Sequence, residues 1–115
     1  MRSKTAFCLA LFAACTVAAW AATPAERAAV AALVHYERAH YGNTDVEQPV
    51  CFIIQSWAQC SFGTGHGNAE VNAWLRYKSG SWRFLGSGGG VTNAQMLEKS
   101  YGIPPAIARA FQAKQ

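Results

Sequence analysis

Apolar positions in this chain repeat first at helical spacing and then at strand spacing. Ala25, Ala29, Leu33, Tyr36 and His40, widened by Val30 and Ala32, form one stripe with a 3.6-residue period. Thr23-Pro24-Ala25-Glu26 marks its start. Thr23 can cap, proline suits the first helical position, and Glu26 can reach back to complete a capping box. The pattern predicts a helix to about Tyr41, with Gly42 at its left-handed end. A polar loop, "GNTDVEQP", separates it from "VCFIIQSWAQCSF". Placing Gln55-Ser56 at a two-residue turn makes that stretch a hairpin and sets Cys51 opposite Cys60. Alternation from the turn makes this a non-hydrogen-bonded pair, with alpha carbons about 4.5 Å apart, close enough for a disulfide. Gln-Ser is not a favoured turn dipeptide.

"AEVNAWLRYK" and "WRFLG" predict a third and a fourth strand, joined at Ser79-Gly80. In that register Leu75, Tyr77, Trp82 and Phe84 share the core face. Trp74, Arg76, Lys78, Arg83 and Leu85 share the other, with Arg76 opposite Arg83. The glycine-rich segment 86–90 predicts a loose turn. Thr92-Asn93-Ala94-Gln95 reads as a second capping box, opening a short helix that ends near Tyr101-Gly102. Pro104-Pro105 opens a last helix through about Gln112. The expectation is an α+β domain: an N-terminal helix, a four-stranded antiparallel meander with a cross-strand disulfide, and two short C-terminal helices.

Composition changes the picture at the N-terminus. Arg2 and Lys4 precede an apolar run from Ala6 to Val17, and Ala19-Trp20-Ala21 fits a small-x-small cleavage site. Residues 1–21 therefore read as a signal peptide and 22–115 as a single small domain. A lipoprotein cut before Cys15 is the less favoured alternative. Either way the protein is expected to leave the cytoplasm, and a cut after Ala21 makes it periplasmic or secreted. Cleavage removes Cys8 and Cys15 and leaves Cys51 and Cys60, which an oxidising compartment would pair. It also removes Arg2 and Lys4, leaving eight basic against six acidic residues. So modest an excess of charge gives no reason to expect nucleic acid as a partner. No transmembrane segment is expected in 22–115.

Several pieces together carry a resemblance in outline: the alanine-rich first helix, Trp57-Ala58 opening a strand, Trp74-Leu75-Arg76-Tyr77, and Gly80-Ser81-Trp82-Arg83-Phe84-Leu85. The glycines after them and Gly102-Ile103-Pro104-Pro105-Ala106-Ile107-Ala108-Arg109-Ala110 complete it. In these the chain resembles a group of small exported bacterial proteins, some of them described as copper uptake system-associated. The resemblance implies an accessory role near copper handling, but neither a ligand set nor a functional residue.

Candidate chemistry is sparse. Gly86, Gly88 and Gly90 lack the spacing, the βαβ context and the acidic partner of a dinucleotide loop, and no lysine follows them as in a phosphate-binding loop. Lys78-Ser79-Gly80 lacks the S-x-x-K partner that would make it part of a serine-enzyme site. His35 and His40 lie about 140° apart around the helix, and His66 stands alone, so no metal ligand set emerges. No nucleophile, base and orienting group are spaced together, so neither a catalytic residue nor a cofactor is expected. The candidate binding surface is Trp74, Arg76, Lys78 and Arg83, and the candidate binding loops are Gly65-His66 and Gly88-Gly89-Gly90. The expected role is an exported, non-enzymatic binding or accessory protein whose partner is a protein or an acidic envelope component. The alternatives are an inhibitor or immunity protein presenting "GTGHGN" to a secreted hydrolase or toxin, and a copper-handling accessory.

Overall fold

The computed structural model describes residues 22–42, 45–65 and 70–115. The expected signal peptide and His66 lie outside these residues. The order is α1 (Pro24–Tyr41), β1 (Glu47–Ile54), β2 (Trp57–Gly63), β3 (Glu70–Lys78), β4 (Ser81–Gly89), α2 (Ala94–Tyr101) and α3 (Pro105–Lys114). The strands form one antiparallel sheet in the order β1-β2-β3-β4. This is the expected α+β architecture.

Helix α1 begins as its sequence predicts. The Thr23 side chain accepts from the Glu26 amide and the Glu26 side chain accepts from the Thr23 amide. Gly42, at φ 61°, ends the helix, and its amide donates to the Glu37 carbonyl. The buried stripe is rotated from the expected one. Ala29, Leu33 and Glu37 are buried, whereas Ala25 and His40 are exposed. Tyr36 lies flat between two rings, with its centroid 3.9 Å from Phe84 and 3.9 Å from His40.

The first hairpin has the predicted register: Ile54 faces Trp57, Phe52 faces Gln59, and Cys51 faces Cys60. The two cysteines form a disulfide with alpha carbons 4.0 Å apart. The unusual turn is made by a positive φ of 55° at Gln55, the backbone of a II′ turn that normally favours glycine. The Ser56 carbonyl accepts from the Tyr77 amide at 2.7 Å, which ties the turn to β3. The second hairpin turns through Ser79 and Gly80, both at positive φ, as a I′ turn requires. It sets Tyr77 opposite Trp82 and Arg76 opposite Arg83.

Both faces of the sheet carry helices. On one face α1 lays Ala29 and Leu33 over Cys51, Cys60, Ala58, Ala73 and Leu75. The alanines and the compact disulfide let the helix approach closely. On the other face α2 and α3 bring Leu97, Ile103, Ala108 and Phe111 onto Trp57 and Trp74. This corrects the expected exposure of Trp74, which is 1% exposed. The alternation that put Trp74 on this face was right, but the face is a second core. Tyr77 and Trp82 do lie on the α1 face, yet Tyr77 is 45% exposed because α1 leaves that end of the sheet uncovered.

The glycine segment is also corrected. It is not a loop: β4 runs through Gly89, with Gly86 facing Trp74, Gly88 facing Asn72 and Gly89 facing Val71. A bulge at Leu85 shifts the register, since Phe84 faces Leu75 and Gly86 faces Trp74. The chain turns at Gly90, at φ 76°. The cap of α2 is Asn93, one residue later than expected, and its side chain accepts from the Met96 amide.

Candidate functional site

On the α2–α3 face, cross-strand partners line up in three rows. The middle row is Phe52, Gln59, Trp74 and Gly86, and the helices cover it. Its polar member, Gln59, is 5% exposed and well supplied with partners. Its Nε2 donates to the Phe111 carbonyl at 2.9 Å, and its Oε1 accepts from Trp74 Nε1 at 2.8 Å and from Gln115 Nε2 at 3.0 Å. Glutamines at the end of the chain then occupy the amides that open α2. Gln112 Oε1 accepts from the Ala94 amide and Gln115 Oε1 from the Thr92 amide. With Met96 bonded to Asn93, these amides have internal partners, which argues against an anion site at this helix start. Sequence reasoning missed this network. Its one signal was a glutamine at position 59, between the apolar positions of a predicted strand.

The first row, Ile54, Trp57, Arg76 and Arg83, lies at the turn end of the sheet. Trp57 is buried, and the Arg76 guanidinium sits over its ring, 4.8 Å from the centroid. Arg76, Lys78 and Arg83 are all exposed. Counting from the Ser79-Gly80 turn, Arg76 and Arg83 form a hydrogen-bonded pair, with alpha carbons about 5.5 Å apart. Two like charges directly opposite on one face are unfavourable by a few tenths of a kcal/mol, about 0.2–1. Three of the four residues expected at the binding surface thus remain together at the surface, and the fourth, Trp74, lies beneath the helices.

The third row, Val50, Ser61, Asn72 and Gly88, emerges beyond the C-terminal end of α3. Its members Val50, Ser61 and Asn72 floor a groove of about 330 Å³, walled by Phe52, Val91 and Lys114. The Lys114 ammonium lies 4.9 Å from the Phe52 ring centroid. A second groove, of about 500 Å³ and mostly apolar, opens on the α1 face between Pro24, Ala28, Ile53, Tyr77 and Trp82.

The two candidate loops are not brought together with the basic row. Gly65, at φ 76°, lies against the start of β1: a side-chain carbon there would meet Glu47 Oε1 at 3.0 Å and Asp45 Cβ at 3.2 Å. Its glycine is therefore explained by local packing. Gly86 has a similar reason, because a side-chain carbon there would lie 2.6 Å from Tyr101 Cε1. Tyr101 stacks on Trp74 with centroids 5.5 Å apart. Its phenol is held above its ordinary value of 10.0, first by burial and second by Tyr41. Gly88 and Gly89 have neither reason. Their φ angles are not positive, and a side-chain carbon at either would meet nothing within 4 Å.

Among the described residues, no group of three or more His, Cys, Asp or Glu is placed to hold a metal ion. None of their helices is long and apolar enough to cross a membrane. No family model, curated protein or solved structure matches the chain.

Proposed function

We propose that this is an exported, non-enzymatic binding module that engages an acidic partner through the basic end of its sheet, at Arg76, Lys78 and Arg83. The observation that carries the reading is the Arg76–Arg83 pair, exposed and directly opposite on adjacent strands. A like-charge pair gives the folded chain alone nothing, whereas a carboxylate or phosphate spanning two guanidiniums accepts charge-assisted hydrogen bonds from both. The stacking of Arg76 on buried Trp57 holds one of the two in place, which lowers the entropy lost when an anion is bound. The disulfide supports the export part of the reading, because such bonds persist in oxidising compartments.

The test is a comparison of envelope extract captured by the wild-type chain and by an Arg76→Glu/Arg83→Glu double variant, with circular dichroism verifying the fold of each. A defined partner is expected on the wild-type chain, to be released by raised salt and to fall at least about tenfold on the double variant. Equal capture by both would remove the basic row from the account.

A further inference from the structure

Gly88 and Gly89 are unexplained by their own fold. Neither has a positive φ, and neither is crowded by a neighbour. Glycine inside a strand is destabilising relative to alanine, and its position there often marks close approach by another backbone. Both lie on β4, which is an edge of the sheet.

The two edges of the sheet differ. On β1, Gln48 has a φ of 46°, Pro49 removes a donor, and the register slips between Glu47 and Val50. These devices blunt an edge against strand addition. On β4 the segment after the Leu85 bulge pairs regularly with β3 from Gly86 to Gly89. It contains no proline and no charged side chain.

The direction of its amides follows from the ladder. The Tyr77 amide bonds to the Ser56 carbonyl on the β2 side, so Arg76, Trp74 and Asn72 direct their backbone groups toward β4. Their partners Gly86 and Gly88 are then satisfied by β3. Ser87 and Gly89 alternate with them and direct their amides and carbonyls away from the sheet. Gly88 on one face and Gly89 on the other leave room above and below this free edge for the side chains of an added strand.

We infer that β4 is a strand-addition edge, and that its occupant is an extended acidic segment of the partner protein. The inference rests on the functional reading above and names the form of the partner. Backbone pairing at Ser87 and Gly89 supplies the affinity, and the acidic end of the segment reaches Arg83 and Arg76 further along the same strand. Charge complementarity with that row is what selects an acidic segment. A second copy of this chain would bring no carboxylate to the arginines from its own β4, which has none.

The probe is a blocked eight-residue peptide of alternating Thr and Val ending in Asp-Glu, with a Lys-Lys version as control. It is titrated into the disulfide-bonded protein while amide resonances and their exchange are followed. The Asp-Glu peptide is expected to saturate, to slow exchange at Ser87 and Gly89, and to bind at least about tenfold more tightly than the Lys-Lys peptide. Ser87→Pro removes an outward donor and leaves the β3 ladder intact, so binding should be lost. Gly89→Pro is the second variant should Ser87→Pro not fold. Binding that survives both prolines, or no saturable protection at Ser87 and Gly89, would overturn strand addition. Protection that is lost with Ser87→Pro but is unaffected by Arg83→Glu would uphold strand addition and overturn the basic-row reading alone.

Discussion

Gly86 and Gly88 sit two residues apart on β4, and the fold treats them differently. Tyr101 fills the space where a side chain at 86 would go, whereas nothing approaches 88 or 89. The same substitution therefore has different effects along one strand. Gly86→Ala should lower stability by about 1–3 kcal/mol through overpacking against the Tyr101 ring. Gly88→Ala and Gly89→Ala should leave it within about 0.5 kcal/mol or raise it slightly. Urea unfolding of the three variants checks this, and a large loss at Gly88 would mean that its glycine serves the fold after all. In the sequence these glycines look alike, and they suggest a loop. Their difference depends on an aromatic ring fifteen positions away, contributed by a helix, which no local pattern contains. The burial of Trp74 escapes the sequence for a related reason. Strand alternation places it on a face, but only the packing of α2 and α3 decides whether that face meets water.

At the scale of elements, most of the fold was legible. Short-range rules govern the caps and hairpins, and a two-residue turn fixes the entire register behind it. Thr23, Gly42, the Cys51–Cys60 pair and the Ser79-Gly80 turn all stand where those rules put them. The α2 cap moved from Thr92 to Asn93 because Gln115, from the end of the chain, takes the Thr92 amide. Strand β4 runs longer than its sequence predicts because glycine is a poor strand former by itself, and pairing with β3 overrides that preference. The disulfide closes a short loop on an already well-registered hairpin. Replacing both cysteines with alanine should reduce stability by about 2–3 kcal/mol, measured by urea unfolding of the oxidised wild type and the double variant. A loss below about 0.5 kcal/mol would mean that the II′ turn and the α1 packing fix the hairpin unaided.

At the scale of the molecule, one sheet carries a core on each face, and the helices cover its middle row better than its ends. That leaves a basic row at one end, a groove at the other, and one open strand edge joining the two ends. The basic row was visible in the sequence as spacing and charge. The groove was not, because Val50, Ser61 and Asn72 come from three strands and meet only through the register. On the proposed reading the partner is engaged along β4, from Arg83 to Gly89, and not in either groove. Hydrogen exchange of the chain, with and without the partner recovered from envelope extract, tests this most directly. Slowed exchange at the outward amides of β4, with Ser61 and Asn72 unchanged, is the predicted result. Protection confined to Ser61, Asn72 and Val91, with β4 exchanging as in the free protein, would contradict it.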